Sequence, residues 1–199
     1  MSDHISHLPR IGMTGGIGSG KSYVAKLLCQ HFGFALYDSD VRARQLMTTS
    51  DDIRRQLCTL LGNDAYLSNG ELNRRLIADY LFSSHKNAQR INAIVHPMVR
   101  QDWLRFAAET MAPVLIESAI LVETGLTDTV DSVVVVTAPE TLRAERAIQR
   151  DKTSLERVRA RMAEQMSERQ LTAYADYVIV NDGRPLLPQL QNIMQIIFN

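Results

Sequence analysis

The chain has 199 residues, of which 45% are hydrophobic and 22% are charged, a composition typical of one globular domain with room for a small insertion. Its 22 basic and 22 acidic residues give a formal net charge of zero, so composition does not favour binding to nucleic acid or to an anionic membrane. Cys29 and Cys58 form neither a disulfide framework nor a zinc spacing, no apolar run approaches about 18 residues, and residues 1–9 lack a signal-peptide pattern. We therefore expect a cytoplasmic protein.

The first predicted strand, Ile11 to Thr14, leads into the phosphate-binding pattern G-x-x-x-x-G-K-S at residues 15–22. A helical segment from about Ser22 to His31 follows, and its dipole would support the backbone N–H groups that point at phosphate. Lys21 is predicted to bridge the terminal phosphates, and the Ser22 hydroxyl to hold Mg²⁺. The predicted nucleoside triphosphate ligands are Gly16, Ile17, Gly18, Ser19, Gly20, Lys21, Ser22 and Tyr23.

A short strand, Phe34 to Tyr37, carries the chain to Asp38 and Asp40. Alternate strand residues face the same way, so we expect both carboxylates to project together at the ligand-binding edge of the sheet. One would accept the proton of an acceptor hydroxyl, and the other would hold Mg²⁺ through water. The alternative is that Asp40 caps the helix that opens at Val41. Arg44 is predicted to meet an anionic group of the acceptor.

Residues 48–111 show helical spacing, in segments of about Asp51 to Leu61, Asn73 to Phe82, His85 to Val95 and Pro97 to Glu109. So long a helical stretch between two strands predicts an insert that covers the acceptor. Arg74 either reaches a substrate phosphate or lies on a solvated helix face. His96 is expected to end one helix before Pro97 starts the next, and it is either a hinge or capping residue or a catalytic or substrate-binding one.

Three further strands are predicted at about Ala112 to Ile116, Asp131 to Thr137 and Ala175 to Val180. The middle one is an unbroken β-branched run, which indicates a parallel strand buried on both faces. Glu117 ends the first, where phosphate-loop folds carry an acidic residue near Mg²⁺, and Glu123 is a second candidate. Asn181 and Gly183 follow the last, in a turn that either brackets the adenine or is a plain turn.

The polar segment at about 140–169 is predicted to be helical, with a break near Asp151 to Ser154. Arg146 and Arg150 lie four residues apart and share a helix face. On a mobile lid such arginines would stabilise the charge of a migrating phosphoryl group, whereas the alternative is a salt-bridged surface helix. The closing segment, Leu186 to Phe198, is amphipathic and is expected to pack on the sheet.

Seven short motifs follow one another along the chain: T-G-G-I-G-S-G-K-S (14–22), D-S-D-V-R-A-R (38–44), G-E-L-N-R-R-L (70–76), H-P-M-V-R (96–100), I-L-V-E (120–123), Q-R-D (149–151) and A-D-Y-V-I-V-N-D-G (175–183). The first is shared with many kinases, but the ordered set is specific. With this set the chain resembles the dephospho-CoA kinases along nearly its full length.

The resemblance implies that the ATP γ-phosphate is transferred, with Mg²⁺, to the ribose 3′-hydroxyl of dephospho-CoA, giving CoA and ADP in the last step of coenzyme A biosynthesis. It implies an α/β, three-layer P-loop NTPase fold with a five-stranded parallel sheet. The core would comprise residues 1–47 and 112–199, with a helical CoA-binding insert at 48–111 and a helical lid at about 140–169.

The resemblance also implies Asp40 as the base, with Arg44, Arg146 and Arg150 as phosphate ligands. The small-molecule substrate would be the partner, without nucleic acid or membrane, and the enzyme a monomer or weak homo-oligomer. The chain departs from the family pattern at three places. Tyr23 replaces a common Thr, Glu117 begins E-x-A in place of D-x-P, and the stretch before Arg146 is one residue longer than in some relatives.

Two alternative functions stay open at this point. Shikimate kinase resembles the chain at the phosphate loop and at residues 37–40, but the long helical insert and the Asn181-Asp182-Gly183 ending count against it. A regulatory phosphate-loop switch would be expected to carry a guanine-reading N-K-x-D motif, which this chain lacks.

Overall fold

The computed structural model describes residues 8–199, so most of the segment on which the signal-peptide expectation rests lies outside the described residues. The described chain divides into two compact units. The first comprises residues 8–37 and 107–199, and the second is Asp38–Phe106. The sequence predicts an insert of residues 48–111, and its acceptor-binding role stays a prediction.

Five parallel strands form one sheet in the order β2-β3-β1-β4-β5. They are β1 (Arg10–Thr14), β2 (Ala35–Asp38), β3 (Val114–Glu117), β4 (Ser132–Thr137) and β5 (Tyr177–Val180). Each strand was predicted from the sequence to within two residues at either end. β4 is an inner strand, paired with β1 and β5 on its two sides, and its β-branched run is buried at five of its six positions.

Nine α-helices occupy the described part of the chain: α1 (Lys21–Phe32), α2 (Ser39–Thr49), α3 (Asp51–Leu61), α4 (Arg74–Ser83), α5 (His85–Glu109), α6 (Glu140–Asp151), α7 (Leu155–Ala163), α8 (Glu168–Thr172) and α9 (Leu186–Ile197). The predicted break near Asp151 to Ser154 is confirmed, and a second break at residues 164–167 separates α7 from α8. No helix in residues 8–199 combines the length and apolar content needed to cross a membrane.

A buried cluster packs one face of the sheet against two helices of the first unit, α1 and α9. Ile11 of β1, Leu28 of α1, Val134 of β4 and Leu190 of α9 are all fully buried in it. The expectation that the closing amphipathic helix packs on the sheet is therefore confirmed. This packing fixes β1 and α1, the two elements that flank the phosphate-binding pattern.

The predicted helix break at His96 and Pro97 is wrong, because α5 runs through both residues as one helix of 25 residues. Proline has no N–H, so it cannot donate to the carbonyl group one turn earlier. The continuous apolar stripe of α5 offsets that loss. The residues of this stripe lie four apart, two before Pro97 and two after it. They are Ile91, Val95, Val99 and Trp103, and each is no more than 6% exposed.

The prediction that Asp38 and Asp40 share one face of a strand is also wrong. Asp38 ends β2 and is the N-cap residue of α2, where its Oδ1 accepts a hydrogen bond of 2.9 Å from the Val41 N–H. Asp40 already lies in the first turn of α2. A carboxylate is stabilised both at a cap and in the first helical turn, so helix formation takes both residues out of the strand pattern.

Candidate active site

The phosphate-binding pattern forms a closed loop between β1 and α1. The Ser19 N–H donates to the Gly16 carbonyl at 3.1 Å, and Lys21 Nζ donates to the Gly15 carbonyl at 2.8 Å. Gly18 and Gly20 have φ angles of 76° and 91°, the left-handed region that favours glycine. Lys21 thus lies folded over the loop, with its ammonium group beside the first glycine of the pattern.

Ser22 is linked to the strand neighbouring β1 by a short hydrogen bond. Its Oγ donates to Glu117 Oε1 at 2.7 Å, and Glu117 at the end of β3 is 8% exposed. The sheet register produces this contact, since Met13 of β1 pairs with Glu117. A hydroxyl beside a carboxylate at the start of α1 is a donor set that suits Mg²⁺ bound to phosphates.

Asn181 ties the end of β5 to the phosphate loop. Its Nδ2 donates to the Ser19 carbonyl at 2.8 Å, and its backbone N–H donates to the Thr137 carbonyl at 2.8 Å. Arg146 in turn donates to the Asn181 carbonyl at 3.1 Å and to its side-chain oxygen at 3.5 Å. The structure therefore brings two predicted site residues, Asn181 and Arg146, to the phosphate loop.

A cavity of about 390 Å³ opens beside this junction, between α1 and the turn that precedes α9. Its lining includes Tyr23, Leu27, Asn181, Gly183 and Arg184. Tyr23 is 59% exposed, so its aromatic ring is accessible to a ligand. The predicted adenine contacts of Asn181 and Gly183 stay a prediction, and this cavity is where a base could bind.

Two lid residues that the sequence analysis missed contact the loop directly. Gln165 Oε1 accepts a hydrogen bond of 2.8 Å from the Ile17 N–H. Arg143 lies over the loop as well, because a Cβ atom added at Gly16 would collide with its Nη1 and one added at Gly18 with its carbonyl group. No local spacing could reveal these contacts, since Gln165 and Ile17 are 148 residues apart.

Arg150 is held by a carboxylate of the lid. Its Nε and Nη2 donate to the two oxygens of Asp151 at 2.7 and 3.0 Å, and Arg161 donates to the same carboxylate at 2.6 Å. Hydrogen bonds from Arg150 and Arg161 hold the pKa of Asp151 well below its usual range, and the bond to Asp151 raises the pKa of Arg150. The phosphate-binding role of Arg150 stays a prediction.

The remaining predicted site residues lie in the second unit. Arg44 is an exposed residue of α2, and Arg74 starts α4 on the wall of a cavity of about 430 Å³. His96 is half-buried in α5, and burial lowers the pKa of its imidazole. The same unit contains Asp102, 3% exposed and paired with two arginines at 2.6 Å, Arg42 and Arg105.

The sequence model of the dephospho-CoA kinases matches residues 10–186. The dephospho-CoA kinase of Bacteroides fragilis is 41% identical over 192 residues, covering 95% of this chain and 93% of that protein. TT1252 of Thermus thermophilus has a solved structure that is similar at a TM-score of 0.80 and 32% identity, covering 96% of this chain and 97% of that chain.

Shikimate kinase of Acinetobacter baumannii is similar at a TM-score of 0.60 and 16% identity, with 96% of this chain and 93% of that chain covered. That likeness shows a shared phosphate-loop kinase fold and no more. The family match over most of the chain decides between the kinases that the sequence left open. The chain belongs to the dephospho-CoA kinase family, and it is therefore an ATP-dependent enzyme that transfers phosphate to an alcohol group.

Proposed function

We propose that the enzyme transfers the γ-phosphoryl group of ATP to the ribose 3′-hydroxyl of dephospho-CoA, giving CoA and ADP. The observation that supports this best is the junction at the phosphate loop, where Glu117 meets Ser22 and the lid residue Gln165 meets Ile17. A loop held between an acidic strand end and a lid is built for phosphate that must be transferred away from water. The identity of the acceptor is inferred from the family to which the chain belongs.

In this proposal the phosphates bind to the backbone N–H groups of the loop, and Lys21 neutralises the terminal charge. Mg²⁺ fits the donor set of the Ser22 hydroxyl and the Glu117 carboxylate, with Asp38 as a further candidate through water. The metal would spread the charge that develops on the phosphate oxygens. Ser22 and Glu117 hold each other in position for that contact, which lowers the cost of ordering the site on binding.

For the acceptor, we assign Asp40 as the carboxylate that accepts the proton of the 3′-hydroxyl as the new bond forms. Arg44 and Arg74 are proposed to bind phosphates of dephospho-CoA, since both are exposed cations of the helical unit. His96 is proposed as a neutral contact, because burial lowers the pKa of its imidazole and keeps it uncharged at neutral pH. Residues 48–111 would form most of the acceptor site.

We further propose that the enzyme works in the cytoplasm, as a monomer or weak homo-oligomer without nucleic acid or membrane. Its two cysteines, Cys29 and Cys58, are free thiols, which suits a reducing compartment that supplies ATP.

The test is to incubate the enzyme with ATP and each of several acceptors and to measure the release of ADP. We expect ADP to form with dephospho-CoA and not with shikimate, gluconate or nucleoside monophosphates, because only dephospho-CoA would engage both the hydroxyl and the phosphate contacts. Matched reactions without acceptor measure ATP hydrolysis by water. A higher kcat/KM for shikimate than for dephospho-CoA would overturn the proposed substrate.

A further inference from the structure

Arg143, in the first turns of α6, lies against the glycines of the phosphate loop. Its guanidinium group lies in the space beside Gly16, and its carbonyl group fills the space beside Gly18, where the φ angle of 76° also requires glycine. Gln165, from the connection between α7 and α8, approaches Gly16 as well while it binds the Ile17 N–H. Two separate parts of the lid thus contact the first half of the loop.

The charge of Arg143 has no counter-ion among residues 8–199. Its Nε is buried without a hydrogen-bond partner there, and no carboxylate lies within ion-pair distance of the side chain. Three other lid arginines do have partners, since Arg150 and Arg161 share Asp151 and Arg146 binds Asn181. A guanidinium N–H that is buried without a hydrogen-bond partner is costly, so an anionic ligand is expected to complete this site.

The position of Lys21 indicates which anion this is. In phosphate loops the lysine reaches the β- and γ-phosphates, and here its Nζ lies on the Gly15 carbonyl. Gly16, beside Arg143, is the next residue. The base cavity with Tyr23 and Asn181 is at the other end of the loop, near Gly20. Arg143 therefore faces the terminal end of a bound triphosphate.

We propose that Arg143 is a further catalytic residue, which binds the γ-phosphoryl group of ATP through its guanidinium nitrogens. This inference rests on the proposed function. In the reaction the acceptor oxygen forms a bond to the γ-phosphorus, the bond to the β–γ bridging oxygen breaks, and Asp40 takes the hydroxyl proton. Arg143 exchanges no atoms, but it stabilises negative charge on the migrating group.

Binding of nucleotides without acceptor tests the contact directly. We would measure the rise in Tm that ADP and a non-hydrolysable ATP analogue cause, at fixed Mg²⁺, for the wild type and for Arg143→Gln. The extra rise from the analogue over ADP should be lost in Arg143→Gln, while the rise from ADP remains and shows that the variant is folded. Arg159→Gln is the matched control, because Arg159 is exposed on the cavity that Arg143 also lines.

Kinetics with dephospho-CoA give the second readout. Arg143→Gln should lower kcat/KM for ATP by about 10- to 100-fold, the range for a lost charged hydrogen bond, and Arg143→Lys should lose less. Arg159→Gln should match the wild type. An unchanged difference between analogue and ADP in Arg143→Gln, or an equal loss of both, would overturn the proposal. Because the Tm measurement needs no acceptor, its result stands even if dephospho-CoA proves to be the wrong substrate.

Discussion

Asp38 and Asp40 are two residues apart but have different local roles. Asp38 caps α2, because one of its carboxylate oxygens accepts a hydrogen bond from the Val41 N–H. Asp40 lies in the first turn of that helix and is not its N-cap residue. The sequence predicted a functional role for both carboxylates, and those roles stay predictions. It could not show which one is the cap, because an aspartate before a helix and an aspartate inside its first turn are both common.

We predict that Asp40→Asn lowers kcat by roughly 10²- to 10⁴-fold with little change in ATP affinity, because asparagine cannot accept the hydroxyl proton. Asp38→Asn should retain the helix cap, since asparagine caps as well as aspartate. It should instead raise the Mg²⁺ concentration needed for activity. Single-turnover rates and Mg²⁺ titrations on both variants measure the two effects. Normal turnover of Asp40→Asn combined with an inactive Asp38→Asn would show that the roles are reversed.

Arg143 and Gln165 illustrate what a sequence pattern cannot supply. The pattern predicted lid arginines at 146 and 150 from helical spacing, and spacing describes only which residues share a face. Which residue meets the phosphate loop depends on how the turns between α6, α7 and α8 direct the chain. That is a contact across 148 residues for Gln165, and no local rule determines it.

Among the elements, α5 shows that a buried apolar stripe can outweigh the local preference of a proline to end a helix. A proline preceded by histidine predicts a helix end, but the buried stripe from Ile91 to Trp103 has the same four-residue spacing on both sides of Pro97. Ending the helix there would expose part of that stripe to water, which costs more than one backbone hydrogen bond. The strands were easier to predict, because a short run of β-branched residues such as that of β4 favours a strand over a helix.

His96 within α5 gives a pH prediction. Burial lowers the pKa of its imidazole below its ordinary value of 6.5, so the folded state binds fewer protons than the unfolded chain just below pH 6.5. The neutral imidazole of His96 therefore adds its full contribution to the free energy of unfolding above pH 6.5. That contribution is lost as the pH falls through the lowered pKa. Urea denaturation of wild type and His96→Gln at about pH 7.5 and about pH 5.5 measures it.

We expect acidification to lower the free energy of unfolding more in the wild type than in His96→Gln, because the variant lacks the titrating group. His85→Gln is a matched control, since His85 lies exposed at the start of the same helix. Equal losses in the wild type and His96→Gln would show that His96 does not contribute.

For the whole molecule, the sequence predicted the fold class because a parallel sheet is specified by short apolar runs separated by helices. It predicted the phosphate loop because that chemistry needs a fixed order of residues. The division into two units was harder to place. The compact second unit begins at Asp38, the N-cap residue of α2, and ends at Phe106, inside α5, so neither boundary falls at a linker that composition could mark.

We propose that this chain phosphorylates the 3′-hydroxyl of dephospho-CoA, and phosphorus NMR of one reaction tests this most directly. With ATP, Mg²⁺ and dephospho-CoA, we predict equal loss of ATP and gain of ADP together with a new ribose 3′-phosphomonoester signal. Lys21→Ala should give none of these, because Lys21 neutralises the terminal phosphates. ADP accompanied by inorganic phosphate, with dephospho-CoA unchanged, would contradict the claim.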